Sequence, residues 1–216
     1  MWPLVALCAV AAAVGCWPMA STAAALTATG RVRLPPRWWR RTCWPVAIAI
    51  TSAGVCGAVS YWRLGPTMAL PPAGGLAAAA PALALCDLRL RRLPDLLIAP
   101  IVIVWAITAC TACALGTPAA ATALTRGVIA AAAVAAAGVA IAVLRPGLGG
   151  GDIKLSAALA AVTAWSGVSR LVGFGVLSAA LLLFQALVAV AHRRGLRAAI
   201  PAGPALCLAA LAASVA

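Results

Sequence analysis

Long apolar windows follow one another along this sequence with little between them, and they exclude an ordinary water-soluble fold. A helix that crosses a bilayer needs roughly 18–25 predominantly apolar residues. Candidate windows lie near 2–26, 44–62, 70–86, 96–115, 123–144, 153–167, 171–191 and 198–215. The third and sixth are short or flanked by Gly and Pro. With 65% hydrophobic and 9% charged residues, the chain reads as all-α, a polytopic integral membrane protein of about eight transmembrane helices. A single membrane-embedded domain over 1–216 is the expectation. The first window has no basic residue before Arg31, so it lacks the charged start of a cleaved signal peptide and reads as a retained span. Alanine and glycine fill several helix faces, which lets helices approach closely.

The loops set the orientation. Of the sixteen Lys and Arg residues, thirteen fall in or beside the odd-numbered loops: Arg31, Arg33, Arg37, Arg40, Arg41, Arg89, Arg91, Arg92, Arg145, Lys154, Arg193, Arg194 and Arg197. Arg63, Arg126 and Arg170 are left for the other side. Basic residues collect in cytoplasmic loops, so the odd loops are expected in the cytoplasm and both termini outside. Trp38, Trp39, Trp44, Trp62 and Trp165 sit at predicted span edges, as an aromatic belt does. The net charge of +13 is thereby explained by topology and by contact with anionic membrane lipids. Nucleic acid is not needed as a partner.

Against this basic background stand three acids, Asp87, Asp95 and Asp152, with no Glu. A carboxylate at the edge of a bilayer is costly and tends to be functional. Asp87 follows an apolar stretch and is expected in a loop. Asp152 closes Gly149-Gly150-Gly151-Asp152, a GxGD pattern between two apolar stretches. All three acids, and Pro201-Ala202-Gly203-Pro204 at the start of the last window, fall on the predicted cytoplasmic face. Two neighbouring carboxylates do not both ionise easily, so one keeps its proton. The ionised one can take a proton from water while the other polarises a scissile carbonyl. Glycines beside the acid let another backbone approach, as an extended peptide substrate must.

Plainer roles stand beside these. Asp87 can pair with Arg89 or Arg91, and Asp152 can cap the sixth helix. Asp95, after Pro94, reads first as a helix cap. Lys154 is either an interfacial anchor or a charge supporting the site. His192 reads as a topology residue in a basic run, and Pro201 and Pro204 as shaping a helix start. Cys110 and Cys113 form one CxxC within an apolar window. Without a second pair, it gives no reason to expect a metal.

Three motifs then occur in order on one predicted face. They are Asp87 six residues before Leu93-Pro94-Asp95, then Gly149-x-Gly151-Asp152-x-Lys154, then Ile200-Pro201-x-Gly203-Pro204. Together they resemble the type IV prepilin leader peptidase family of GxGD membrane aspartic proteases, over roughly 80–206. The resemblance implies N-terminal spans over 1–80 and a catalytic core over 81–206. It implies Asp87 and Asp152 as the catalytic pair, with Gly149, Gly150, Gly151 and Lys154 at the substrate. The implied substrate is a prepilin or pseudopilin precursor, cut at the cytoplasmic face of a bacterial inner membrane, with no cofactor. Bifunctional members carry two CxxC pairs in the first cytoplasmic loop. Here that loop, Gly30 to Cys43, has one cysteine, which implies a compact form without methyltransferase activity. Two alternatives remain. One is a GxGD protease of the signal-peptide-peptidase kind, favoured by Pro204-Ala205-Leu206 but not by Cys86 before a loop-borne Asp87. The other is a small proton-coupled transporter.

Overall fold

A computed structural model describes residues 2–29, 43–91, 93–144, 149–191 and 201–216. They form eight helices with no strand among the described residues: α1 (Trp2–Thr29), α2 (Cys43–Leu64), α3 (Leu70–Leu90), α4 (Asp95–Ala114), α5 (Ala120–Leu144), α6 (Gly150–Ser166), α7 (Val168–Ala191) and α8 (Gly203–Val215). The all-α polytopic reading holds. Five of them, α1, α3, α4, α5 and α7, are long and apolar enough to cross a membrane. The loop from Gly30 to Cys43 falls outside the described residues except for Cys43 itself. So do Arg92, Arg145, His192, Arg193, Arg194 and Arg197.

Helix ends follow local chemistry. Gly167, the single residue between α6 and α7, has φ 148°, a conformation glycine adopts without the cost of a Cβ. Pro204 is the second residue of α8, where its missing N–H costs nothing because first-turn N–H groups have no intrahelical partner. That proline start makes α8 13 residues long, shorter than the window over 198–215. At the third window the difference runs the other way. No breaker follows Pro81, so α3 continues to Leu90 and takes in Asp87, which was expected in a loop. It stops at Arg91, which is left-handed (φ 51°, ψ 35°), with its N–H bonded to the Asp87 carbonyl.

Helix α3 runs through the centre of the bundle, against α1, α2, α4 and α8, while α6 lies against α4, α5, α7 and α8. The core between them combines Leu76, Leu83, Leu97, Ile101, Leu155 and Leu159, all fully buried, with alanines of α3, α6 and α8. Lipid tails are as apolar as these side chains. Close packing of small residues, rather than water exclusion, therefore holds such helices together. Gly57 shows it at the α1–α2 contact, where an added Cβ would lie 2.9 Å from the Cys8 carbonyl oxygen. Helices α5 and α7 keep most of their surface outward, as lipid-facing helices do.

Of the three basic residues on the sparse side, two close helix ends. Arg126 donates through Nε to the Ala164 carbonyl and through Nη2 to the Trp165 carbonyl, at the end of α6. Arg170 donates to the Ser214 carbonyl at the end of α8. A cation at a helix C-terminus satisfies orphan carbonyls and complements the dipole. Trp165 Nε1 donates to the Met68 carbonyl at 3.1 Å, which ties the same ends to the start of α3. The opposite ends of α3, α6 and α8, with the start of α4, build the site.

Candidate active site

Asp87 lies three residues before the end of α3 and is 4% exposed. A buried carboxylate needs donors, and this one receives the N–H of Gly203, the first residue of α8, at 2.7 Å from Oδ2. The start of a helix carries unpaired N–H groups and the positive end of its dipole, so α8 presents an anion-binding end to Asp87. Any larger residue there would force a shift. A Cβ on residue 203 would lie 2.9 Å from Asp87 Oδ2 and 3.2 Å from its Cγ. Arg91 is within electrostatic reach of the same carboxylate.

Asp152 is the third residue of α6 and half-buried. The cap of that helix is Gly149, in extended conformation, rather than Asp152. The Asp152 carboxylate instead reaches back and accepts the Gly149 N–H, the return arm of a capping box. An acid at the third helical position can do this because the chain before it turns at Gly149. A Cβ at Gly149 would lie 3.1 Å from Asp152 Oδ2. Asp152 is within electrostatic reach of Asp87, and Gly151, beside Asp152, lies against Leu93, just past the end of α3, so the two acids stand at the same end of the bundle.

The glycines between them differ. A Cβ at Gly151 would lie 2.9 Å from Leu93 Cβ and 3.1 Å from the Leu93 carbonyl oxygen. The backbone that approaches Gly151 is thus the chain's own, from the segment between α3 and α4. Gly149 and Gly150 are exposed, and nothing lies within 4 Å of a Cβ placed on Gly150.

Asp95 does not cap α4. The cap is Pro94, and Asp95, as first helical residue, pairs with Lys154 Nζ at 2.7 Å. Both partners are well exposed. Lys154 is therefore neither a lone anchor nor a donor to Asp87 or Asp152. The interaction was hidden in sequence because the partners stand on different helices. Gly203 was also missed as a site residue. Its signal was a glycine held between two prolines, Pro201 and Pro204. Of the two arginines that the sequence offered as partners of Asp87, it is Arg91 whose charge acts on that carboxylate. Cys110 and Cys113 are exposed on α4, and among the described residues no group of His, Cys, Asp or Glu gathers to hold a metal ion.

The arrangement joins two acids, a helix N-terminus and an exposed glycine backbone at one end of a membrane bundle. That combination suits proton transfer at a bound carbonyl. In a comparison with protein families, residues 75–192 match the type IV leader peptidase family. The match runs from α3 to just past α7, so it includes Asp87 and Asp152 and stops before Gly203. No curated protein and no solved structure matched the chain.

Proposed function

The chain belongs to the type IV leader peptidase family, and we propose on that basis that it is an aspartic endopeptidase with Asp87 and Asp152 as its catalytic pair. Its substrates in this reading are prepilin-like precursors, either type IV or Flp-type pilins or pseudopilins. It removes their leader peptides at the cytoplasmic face of a bacterial inner membrane. The observation that carries the reading is the approach of two acids from separate helices, each holding a helix-start N–H, in a chain with three acids in all.

The chemistry needs one proton shared between two carboxylates. The ionised carboxylate takes a proton from water as the water oxygen attacks the scissile carbonyl carbon. The protonated one donates to the carbonyl oxygen. Collapse of the tetrahedral adduct breaks the C–N bond, and a carboxyl group returns the proton to the leaving nitrogen. The products are a leader ending in a carboxylate and a mature chain with a free amine, with no covalent enzyme intermediate. Gly203 fixes Asp87 against this movement of charge, and the exposed backbone of Gly149 and Gly150 takes the extended segment around the cut. Lys154 orders the mouth of the site through Asp95.

Asp87 lies within a helix, so its place no longer separates this family from signal-peptide-peptidase-like enzymes. Cys86, where those enzymes carry Tyr, and the family match both favour the leader peptidase reading. The test is Asp87→Asn and Asp152→Asn, each inserted in membranes and given a precursor. Loss of an acid or base typically costs about 10²–10⁴ in rate, so both variants should show no leader cleavage on the wild-type time scale. Wild-type cleavage by Asp152→Asn would remove the proposal.

A further inference from the structure

Apolar grooves open along the described helices, and three of them differ in what stands at their ends. One of about 540 Å³ lies between α4, α5 and α6, lined by Val102, Ala131, Ala135, Ile153 and Ala157, with Asp95 and Lys154 at one end. A second, of about 380 Å³, lies between α2 and α3 and ends at Leu88 and Arg89. A third, also of about 380 Å³, reaches from α1 to Leu70 and Pro71, at the start of α3 and so away from the acids. The first reaches Ile153 and Lys154 in the first turns of α6, so its Asp95 end lies at the same end of the bundle as the catalytic pair, although neither of those two acids lines it. Along α4 it runs from Asp95 to Trp105, which at 1.5 Å per residue is ~15 Å, about half of a bilayer's hydrocarbon thickness. Its walls include Ala99, Ala131, Ala135 and Ala157, the small residues that let another helix approach closely.

Charge decides which groove suits a substrate. A segment held on the cytoplasmic side of an apolar helix is enriched in Lys and Arg, so a leader of that kind must approach an already basic face. Arg89 at the second groove repels it. Asp95 is the chain's one carboxylate outside the catalytic pair, and it stands at the mouth of the first groove. Its pairing with Lys154 is exposed on both sides. Such pairs contribute little, so a cation from the leader can take the place of Lys154 at small cost.

Resting on the peptidase reading, we propose that the α4–α5–α6 groove seats the precursor's apolar helix just past the cut, while Asp95 meets a basic residue of the leader. The helix then enters from the lipid side, where Val102 and Ile103 are exposed, and its cytoplasmic end lies beside Asp152.

The experiment places a photo-crosslinking amino acid singly at Val102, Ala135, Ile48 or Leu183 of the full chain carrying Asp152→Asn, in membranes with a tagged precursor. Precursor adducts are expected from Val102 and Ala135, and not from Ile48 in the second groove or Leu183 on the outer face of α7. Adducts of equal yield from all four, or from Ile48 alone, or lipid adducts alone at Ala135, would overturn the proposal. Filling the groove by Ala135→Trp should raise the KM for the precursor at least tenfold with kcat retained, while Leu183→Trp changes neither. Asp95→Asn should raise KM about two- to fivefold, the range of an exposed ion pair. That effect should vanish when the leader's basic residues are replaced by Gln. If the wild type cleaves and Ala135→Trp cleaves with unchanged KM, the groove is wrong and the peptidase reading stands. If the precursor crosslinks at Ala135 but the wild type never cuts it, the peptidase reading is wrong and the groove stands.

Discussion

Replacing Gly203 by Ala tests the tie between α8 and Asp87 with a single methyl group. The new Cβ would stand 2.9 Å from Asp87 Oδ2, 3.1 Å from its Cβ and 3.2 Å from its Cγ, closer than side chains tolerate. Asp87 is 4% exposed and sits on the central helix, so it has little room to retreat. The start of α8 must move instead, and the 2.7 Å hydrogen bond from the Gly203 N–H lengthens or breaks. A hydrogen bond to a charged group is worth about 1.5–3 kcal/mol. If the catalytic step depends on it, kcat/KM falls by roughly 10- to 150-fold. Overpacking adds a stability cost of about 1–3 kcal/mol, so thermal unfolding must be measured on the same preparation. The assay is cleavage of a prepilin-like precursor by purified enzyme in proteoliposomes, read as a gel shift. Gly74→Ala is the control, because no heavy atom lies within 4 Å of a Cβ there, and it should keep both stability and activity. Activity of Gly203→Ala within twofold of the wild type would refute the reasoning.

Gly151→Ala should lose stability by about 1–3 kcal/mol, because its Cβ meets Leu93; denaturation of the purified protein gives the shift. Gly150→Ala should leave stability unchanged, since its surroundings are open, and should raise the precursor's KM if the cut segment lies over it. In a Cys-free background, Gly150→Cys should react with membrane-permeant reagents and not with impermeant ones added outside, whereas Thr117→Cys should react with both. The reverse pattern would overturn the cytoplasmic placement of the site. Purified enzyme given a precursor and labelled S-adenosylmethionine should yield a mature product whose mass shows no added methyl group, because the loop from Gly30 to Cys43 has one cysteine and is too short for a folded domain of its own, which takes some ~40 residues or a metal staple.

All eight helices were legible in the sequence because hydrophobic windows report burial in lipid or protein directly. Their ends were less so, and Asp87 shows why. A charge at the edge of an apolar run reads as the start of a loop, yet α3 carries it inward because Gly203, far along the chain, supplies a donor. No local periodicity encodes such a partner. Asp95 misled in the complementary way. Local preference favours an acid as a helix cap after a loop, but Lys154 of another helix claims its carboxylate. Asp152 differed from expectation by position only. It stands at the third residue of α6, not at the cap, and still serves a helix-start N–H, that of Gly149. The motifs singled out the two acids and the glycines as candidates, and the structure adds what the glycines meet.

What they meet explains how so acid-poor a chain holds carboxylates at one end of an apolar bundle. Each acid is matched to a specific donor: Asp87 to the start of α8, Asp152 to the start of α6 and Asp95 to Lys154. The first two donors belong to the shortest helices of the bundle, 13 and 17 residues long. Arginine side chains hold both helices at their far ends, Arg170 on α8 and Arg126 on α6. A short helix fixed at its C-terminal end cannot slide along its axis without breaking those bonds, so its N-terminal N–H groups stay where the acids need them. Arg126 and Arg170, two of the three arginines on the sparse side, therefore do more than mark topology. They hold in register the two helices whose opposite ends carry the site, and the glycines at residues 149 and 203 let the carboxylates approach to hydrogen-bonding distance.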